Sequence, residues 1–234
     1  MTVKLYQEDG YLTECESTVL AVSELGVLLD QSVFYCQGGG QPGDIGRLIC
    51  EDGREIEVTD TVADRETGAP VHVVDPNSHG LRVGQSVVAR IDWDRRYRLM
   101  RMHSCMHMLC AIIDAPVTGG SVSDGRARLD FDMPTPPDKE SLNAQLNEVI
   151  QKDRPMTIQW ITDAEMQSQP ELVRTLSVSP PEGQGRVRLI DFDGIDRQPC
   201  GGTHVRSSGE IGAVRIAKIE KKGKQNRRVI VEFA

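Results

Sequence analysis

The chain of 234 residues lacks any long hydrophobic run. A helix that crosses a bilayer needs about 20 consecutive apolar residues, and no stretch approaches that length. The N-terminal segment MTVKLYQEDGYL also lacks the basic patch followed by an apolar stretch that marks a secretory signal. We therefore expect neither membrane insertion nor secretion, and we predict that the protein is cytoplasmic.

The sequence also lacks a CxxC pair, which argues against a zinc ribbon. It has six irregularly spaced cysteines, which are Cys15, Cys36, Cys50, Cys105, Cys110 and Cys200. In a reducing compartment, cysteines are more often thiols or metal ligands than members of a disulfide framework. The sequence therefore predicts free thiols, some of them available to bind a metal.

An excess of positive charge is absent as well. The net charge is −8, which argues against a protein that coats nucleic acid by bulk attraction. Charge is strongly segregated, however, because the segment KIEKKGKQNRR (218–228) has six basic residues and one acid. This segment carries a charge of +5. The net charge of −8 therefore leaves −13 on the rest of the chain. Taken alone, such a run is typical of a solvated hairpin turn.

The first ninety residues have the pattern of a β domain. Short runs rich in Val, Ile and Leu alternate with Gly and Asp turns, which predicts a small β-barrel or sandwich over residues 1–91. The segment GGGQPGDIG (38–46) interrupts the pattern with five glycines in nine positions. It is either a flexible loop or a backbone that closely approaches a ligand, which glycine permits.

From Asp92 onward the pattern becomes helical. An apolar stripe at Met102, Met106, Leu109 and Ile113 predicts a helix, with Asp92 or Asp94 as its N-cap. A second helix is expected after Thr135 as N-cap, and a helical segment from Asp163 is expected to be interrupted at Pro170. Four segments are predicted to be strands: PMTIQWI, RVRLIDF, IGAVRIAKIE and RRVIVEF. We therefore predict an α+β chain with a second domain over 92–234.

Two pairs of possible metal ligands occur at intervals of four residues. His103 and His107 lie in HSCMH, and residues four apart on a helix sit one above the other on the same face. Cys200 and His204 lie in CGGTH, where two glycines allow the chain to bend toward one centre. Three imidazoles and a thiolate suit tetrahedral zinc, so we predict a single site. Spacing leaves open whether this site is structural and closed or catalytic with bound water.

The remaining candidates for this chemistry are weaker. His72 and His79 fall in the β-rich part and are expected on the surface. Cys110 lies one turn beyond His107 and is expected to be a small buried hydrophobe. A cysteine nucleophile is disfavoured, because the sequence offers no Asp or Asn that can be assigned to orient a Cys–His pair.

These motifs together resemble the alanyl-tRNA editing proteins (AlaX family, medium-length type), which are related to the editing domain of alanyl-tRNA synthetase. HSCMH and CGGTHV are similar to the HxxxH and CxxxH motifs of that family. GGGQPGDIG, TGGSVSDGRARLDFD and KKGKQNRR are similar to its glycine motif, substrate-pocket strand and basic C-terminal segment. The motifs follow the family order over most of the chain. One departure is Cys36, which precedes the glycine run where the family often has proline.

The resemblance implies a small N-terminal β-barrel domain followed by an α/β two-layer editing domain with a zinc site. The implied activity is hydrolysis of mischarged tRNA(Ala), chiefly Ser-tRNA(Ala) and also Gly-tRNA(Ala). Zinc would be held by His103, His107, Cys200 and His204, and a zinc-bound or zinc-organised water would replace any protein nucleophile. The implied substrate contacts are Thr118, Gly38, Gly39, Gly40 and Gln41. The implied tRNA contacts are Lys221, Lys222, Lys224, Arg227 and Arg228.

A second hydrolytic site has a physical rationale. A synthetase pocket for alanine excludes the smaller glycine poorly and rejects the extra hydroxyl of serine only weakly. Two alternatives remain open from the residues alone. One is a zinc-dependent hydrolase of another small ester or amide, and the other is a non-catalytic, zinc-stabilised tRNA-binding module.

Overall fold

The computed structural model describes residues 2–175 and 185–234, and within them the chain is a mixed α/β protein in which strands predominate. It forms two compact units, Met1–Tyr97 and Arg98–Ala234. None of the helices in the described ranges is both long and apolar enough to span a bilayer. The mixture of helices and strands agrees with the α+β prediction, whereas the division into a barrel domain and an editing domain stays a prediction.

The first unit consists mainly of antiparallel strands. Its described residues form β1 (Val3–Lys4), β2 (Glu14–Val22), β3 (Val27–Leu29), β4 (Gln31–Ser32), β5 (Gly46–Cys50), β6 (Glu55–Val58), β7 (Asp60–Ala63), β8 (Pro70–Val73) and β9 (Ser86–Ile91), with a 3₁₀ turn at Leu5–Gln7. Seven strands form one sheet in the order β6-β5-β9-β2-β3-β8-β7. Only Thr59 separates β6 from β7, so the two ends of this order meet and the sheet is nearly closed.

A buried ion pair supports the loop that carries the glycine run. The guanidinium of Arg96 is fully buried and donates hydrogen bonds to the carboxylate of Asp44. It also donates to the carbonyls of Gly10 and Val33, at 2.9 and 2.7 Å. The same carboxylate accepts a hydrogen bond from the backbone N–H of Tyr35. This arrangement satisfies a charge that would otherwise be costly to bury.

The prediction that His72 and His79 lie on the surface is wrong. His72 is fully buried in β8, where its Nε2 lies 2.7 Å from Ser32 Oγ and its Nδ1 lies 3.0 Å from the carbonyl oxygen of Val27. Burial lowers the pKa of His72 to about 4. His79 Nδ1 accepts a hydrogen bond from the Leu81 N–H. Both imidazoles therefore satisfy backbone groups inside the unit, which a sequence pattern does not reveal.

The second unit combines helices with two antiparallel sheets. The helices are α1 (Trp93–Ile112), which begins in the first unit, α2 (Lys139–Gln151) and α3 (Asp163–Gln167). The strands are β10 (Val117–Ser123), β11 (Arg126–Asp132), β12 (Met156–Ile161), β13 (Val187–Phe192), β14 (Asp196–Pro199), β15 (Val214–Lys221) and β16 (Asn226–Phe233), and 3₁₀ turns lie at Pro170–Leu172 and Ser208–Ile211. One sheet has the order β10-β11-β16-β15, and the other has the order β12-β13-β14.

The N-cap was predicted correctly for α1 and incorrectly for α2. The side chain of Asp92 accepts a hydrogen bond from the Arg95 N–H at 3.0 Å, which confirms one of the two predicted caps. The second helix is capped by Asp138 and not by Thr135. Pro136, the first residue after the predicted cap, precedes Pro137, and a residue before proline is disfavoured in the α region. The pair of prolines therefore delays the start of α2 by one turn.

The four-stranded sheet has one apolar face and one charged face. Along β11 the side chains of Ala127, Leu129 and Phe131 are buried, and those of the intervening residues point to the opposite face. Helix α2 lies against β15 on this sheet. The four predicted strands are confirmed as β12, β13, β15 and β16, whereas the short polar strand β14 was not predicted.

Candidate metal centre

Four side chains converge in the second unit, and all four were expected to bind metal. Helix α1 supplies His103 and His107, and the loop after β14 supplies Cys200 and His204. Their potential ligand atoms all lie within 4.8 Å of one another. The three imidazoles are buried, and Cys200 is partly exposed. The two remote motifs therefore form one cluster that could hold a metal ion.

The spacing within this cluster suits tetrahedral coordination. Cys200 Sγ lies 3.5 Å from His103 Nε2 and 3.3 Å from His204 Nε2. In a tetrahedral zinc site with ordinary bond lengths, a sulfur and a nitrogen ligand are about 3.6 Å apart. The side chains thus need little movement to share one ion.

Hydrogen bonds hold the cysteine-containing loop in place. The buried guanidinium of Arg188 on β13 donates to the carbonyls of Cys200 and Gly202, at 2.7 and 3.0 Å. The Val205 N–H donates to Ser104 Oγ on α1, at 3.2 Å. These contacts link the loop to both β13 and the helix that supplies the other two imidazoles.

Two histidines also have partners on the side away from the cluster. His107 Nδ1 lies 2.8 Å from Asp196 Oδ2, which also accepts a hydrogen bond from Gln198 Nε2 at 2.9 Å. His204 Nδ1 lies 3.1 Å from Ser104 Oγ. A proton on each Nδ1 leaves the Nε2 lone pair available as a metal ligand.

Without a bound cation, the electrostatics of the cluster favour a thiolate at Cys200 and a neutral His204, whereas His107 keeps a proton that a metal ion would have to displace. Burial opposes ionisation of the Cys200 thiol, but His103 and His204 hold its pKa well below the ordinary value. The thiolate is the form of cysteine that binds metals. Burial also lowers the pKa of His204. For His107 burial again lowers the pKa, but hydrogen bonds to Asp196 and Cys200 outweigh it and raise the pKa to about 9.

The residues expected to contact substrate lie in different parts of the chain. In the second unit, Thr118 Oγ1 donates to the Asp130 carbonyl and accepts from Asn226 Nδ2, at 3.2 and 3.1 Å. In the first unit, Gly38 and Gln41 exchange two backbone hydrogen bonds around Gly39 and Gly40. Both central glycines have positive φ, 53° and 82°, which this tight turn requires. Gly38, Gly39 and Gly40 are exposed, and Gln41 is buried.

The five basic residues expected to contact tRNA do not share one environment. Lys221, Lys222 and Lys224 are exposed near the turn between β15 and β16. Arg227 is buried, and its guanidinium donates to backbone carbonyls, including those of Gly223 and Pro134. Arg228 points to the opposite face of the sheet and pairs with Asp130. The guanidinium of Arg227 therefore serves the fold of the hairpin.

Several supporting residues were not found by sequence reasoning. Asp196 and Ser104 lie 89 and 100 residues from their histidine partners, and Arg188 lies 12 residues before Cys200; no short motif marks any of the three. Cys36, which departs from the resemblance, is buried in the first unit with its Sγ 3.5 Å from the Tyr6 hydroxyl. Cys110 is buried, as expected.

Two family models match separate parts of the chain. The model described as "Threonyl and Alanyl tRNA synthetase second additional domain" matches residues 187–230, and "tRNA synthetases class II (A)" matches residues 5–95. The first match includes the CGGTH loop and the basic hairpin.

Similar curated proteins cover nearly the whole chain. "Alanyl-tRNA editing protein AlaX-M" of Saccharolobus solfataricus is 37% identical over 98% of this chain and 98% of its own length. The AlaX-M protein of Pyrococcus horikoshii is 33% identical over 98% of this chain and 96% of its own length. "Alanine--tRNA ligase" of Pyrobaculum arsenaticum is 34% identical over 94% of this chain, but only 25% of that longer protein is covered.

Proposed function

The chain belongs to the family of AlaX-M alanyl-tRNA editing proteins, and from that premise we propose that it removes the wrong amino acid from tRNA(Ala) in trans. The substrate is the ester between the amino acid and the terminal ribose, chiefly in Ser-tRNA(Ala) and secondarily in Gly-tRNA(Ala). The observation that carries this proposal is the convergence of His103, His107, Cys200 and His204 into one buried cluster.

The metal in this proposal is one zinc ion per chain, held by those four side chains. Two or three nitrogens with a thiolate form a borderline-soft donor set that suits zinc. Zinc would supply Lewis-acid polarisation of the ester carbonyl or of a water molecule at a coordination position that one of the four side chains leaves open. Asp196 and Ser104 fix the orientation of His107 and His204, and Arg188 holds the loop that carries Cys200. No side chain of the protein acts as the nucleophile.

Selectivity is proposed to come from a polar pocket that includes Thr118. A site that hydrogen-bonds the serine hydroxyl leaves buried polar groups unpaired when alanine occupies it, and such sites discriminate by about 10⁴ or more. Correctly charged Ala-tRNA(Ala) is thereby spared. The turn at Gly38–Gln41, whose three glycines are exposed, is proposed to contact the acceptor end, where the glycines permit close approach.

At the level of the whole chain, we propose a β-barrel domain over 1–91 and a two-layer editing domain over 92–234. The nearly closed sheet supports the first assignment, and the helices packed with two sheets support the second. We also propose a cytoplasmic location, because the proposed substrate is a charged tRNA.

Replacement of Cys200 by Ala, with thermal unfolding and Ser-tRNA(Ala) deacylation measured together, tests the role of the cluster. We expect the variant to keep its fold and lose deacylation. If the variant unfolds, the site stabilises the structure, as in small domains whose folding depends on metal. If the fold and the deacylation both survive, the cluster is not the active site.

The geometry also raises a cysteine nucleophile as a second candidate. Asp196, His107 and Cys200 follow one another in contact, and the pKa of the thiol is lowered. Such a triad would act without metal, since the imidazole itself activates the thiolate. Deacylation by metal-stripped protein, and its loss on alkylation of Cys200, would support this candidate over the zinc-dependent one.

A further inference from the structure

The charged face of the four-stranded sheet has an unusual pairing pattern. Each of three carboxylates is shared by two cations, with N–O distances from 2.7 to 3.6 Å. The groups are Asp130 with Arg128 and Arg228, Glu232 with Arg126 and Arg215, and Glu220 with Lys218 and Lys222. These nine residues, here called the phosphate face, carry six positive and three negative charges. Their surplus is +3, which leaves −11 on the rest of a chain whose total is −8.

Strand register places these groups on the same side of the sheet. Asp130 of β11 is opposite Arg228 of β16, and Arg126 is opposite Glu232. Glu220 and Arg215 of β15 are opposite Arg228 and Glu232, respectively. Side chains at paired positions of an antiparallel sheet point to the same face. The cations therefore form a continuous surface across three neighbouring strands.

The carboxylates of this surface are less exposed than the cations. Side-chain exposure is 11% for Asp130, 26% for Glu232 and 22% for Glu220. The six cations range from 24% to 66%, and each carboxylate is less exposed than both of its partners. Ion pairs in the first unit differ, since Arg90 (52%) pairs with a single, similarly exposed Glu14 (49%). An approaching molecule would thus meet guanidinium and ammonium groups first.

A cavity of about 330 Å³ lies within this face. Arg126, Arg128 and Arg228 line it together with the hydroxyl-bearing Ser121 and Ser123 of β10. Guanidinium groups present forked donors that match phosphate oxygens, and the Ser121 hydroxyl is a further donor. The Ser123 hydroxyl already donates to the Arg126 carbonyl at 2.9 Å. The lining also includes Glu220, whose carboxylate is paired with Lys218 and Lys222. The three guanidinium groups outnumber this carboxylate, so the lining suits a phosphodiester group.

We propose that the phosphate face docks the sugar–phosphate backbone of tRNA, with the arginine- and serine-lined cavity as its central contact. The proposal rests on the proposed function, which makes tRNA the substrate. Charge complementarity selects this occupant, because a polyanion is attracted to the surplus of +3 and repelled by the acidic remainder. The less exposed carboxylates hold the guanidinium and ammonium groups in place, so less side-chain freedom is lost on binding.

The first test replaces Arg126 and Arg128 by Gln, which leaves one cation on each of Asp130 and Glu232. The affinity for uncharged tRNA(Ala) is measured at several salt concentrations. We expect binding to weaken about ten-fold, at about 0.1 M salt, for each phosphate that the variant no longer neutralises. The slope of log K against log salt is expected to fall by about 1 for each such phosphate.

A matched control replaces Arg47 and Arg90 of the first unit by Gln, which changes the net charge by the same amount. Each of these arginines pairs with a single carboxylate. We expect nearly wild-type binding from this control. Equal binding by the two double variants would overturn the proposal, because net charge alone would then account for any change.

A second pair of variants leaves all nine residues of the phosphate face in place. Ser121→Asp adds a carboxylate inside the cavity, and Ser121→Asn adds a neutral group of the same shape. We expect the Asp variant to bind tRNA(Ala) about ten-fold more weakly than the Asn variant at low salt. Identical affinities would overturn the proposal even if the arginine variants fold poorly.

Deacylation of Ser-tRNA(Ala) by the unmodified protein separates failure of this proposal from failure of the proposed function. If the protein binds tRNA through these residues without deacylating Ser-tRNA(Ala), the phosphate face is supported and the editing function is wrong. If the protein deacylates Ser-tRNA(Ala) and all variants bind tRNA equally, editing stands and the phosphate face is overturned.

Discussion

Asp196 contacts one of the expected metal ligands, although no sequence motif pointed to it. Its Oδ2 contacts His107 Nδ1, whereas its buried Oδ1 has no hydrogen-bond partner among the described residues. A carboxylate behind a ligating imidazole fixes the tautomer and the ring orientation and makes the imidazole a better ligand. Asp196 is therefore a positioning residue for the proposed zinc site.

Replacement of Asp196 by Asn should weaken zinc binding about 10- to 100-fold, because the imidazole loses its charged acceptor. The zinc dissociation constant is measured by competition with a chromophoric chelator. Asp193→Asn serves as the control, since Asp193 is exposed near the same hairpin and should leave zinc affinity unchanged. Equal affinities for the two variants would show that Asp196 does not position the ligand.

Thr118→Val should lower kcat/KM for Ser-tRNA(Ala) roughly ten-fold, because the variant lacks the hydroxyl proposed to bind the serine side chain. Gly-tRNA(Ala) has no side-chain hydroxyl, and its kcat/KM should fall much less. Thr118→Ser keeps the hydroxyl and should retain the preference for serine. Equal losses for both substrates with Thr118→Val would argue for a purely structural role of the Thr118 hydrogen bonds with Asp130 and Asn226.

At the residue scale, local spacing could be read from the sequence and long-range pairing could not. His103 and His107 share a helix face because four residues make about one turn. The contact between His107 and Asp196 spans 89 residues, and that between His204 and Ser104 spans 100. No periodicity encodes such contacts, which arise only when α1 and β14 pack.

Among the elements, α2 covers the edge strand β15 with amide side chains. Asn147 Nδ2 donates to the Val214 carbonyl at 2.9 Å, and Asn147 Oδ1 accepts from the Val214 N–H at 3.2 Å. Asn143 Oδ1 accepts from the Ile216 N–H at 2.8 Å. The helix thus satisfies backbone groups that an edge strand would otherwise leave unpaired.

Asn147→Ala should destabilise the protein by about 1–3 kcal/mol, because it leaves a part-buried N–H and C=O of the edge strand unpaired. The free energy of unfolding is measured by urea denaturation. Glu148→Ala, at an exposed position of the same helix, should change the stability by less than about 0.5 kcal/mol. A difference between the two variants smaller than this would contradict the edge-covering role of Asn147.

Element types were more predictable than their ends. The apolar stripe of α1 and the strand patterns of β12, β13, β15 and β16 follow from periodicity, and the structure has all of them. The start of α2 was displaced because Pro137 disfavours α backbone at Pro136, the first residue after the predicted cap. The strand β14 was missed because its sequence, DRQP, lacks the apolar alternation that marks a strand.

Over the whole molecule, basic residues are segregated from acidic ones, so a chain with a net charge of −8 can still attract an anionic substrate locally. Lys221 is opposite Arg227 and so lies on the other face of the sheet from the phosphate face, and Lys224 lies in the turn between β15 and β16. Both side chains are exposed. Replacing both by Gln should flatten the salt dependence of tRNA binding by up to about 2 in the log–log slope. Replacing Arg65 and Lys152, exposed elsewhere, is the charge-matched control. An unchanged slope would exclude the hairpin turn from the tRNA interface.

The α+β class and the pairing of two remote motifs were predictable for the whole chain, whereas the buried histidines of the first unit were not. His72 was misplaced because a polar residue in an apolar strand is read as exposed unless its partner is known. That partner, Ser32, lies 40 residues away. The charged face of the sheet could not be predicted for the same reason, because the strand register decides which cations share a carboxylate.

The central claim is that one zinc-dependent site discriminates among the amino acids attached to tRNA(Ala). Its most direct test measures deacylation of Ser-tRNA(Ala), Gly-tRNA(Ala) and Ala-tRNA(Ala) side by side, before metal removal, after it and after zinc is restored. We expect serine to be removed fastest and alanine to be spared by about 10⁴. Chelation should abolish activity, and zinc should restore it. Undiminished deacylation by metal-free protein, or equal rates on serine and alanine, would contradict the account.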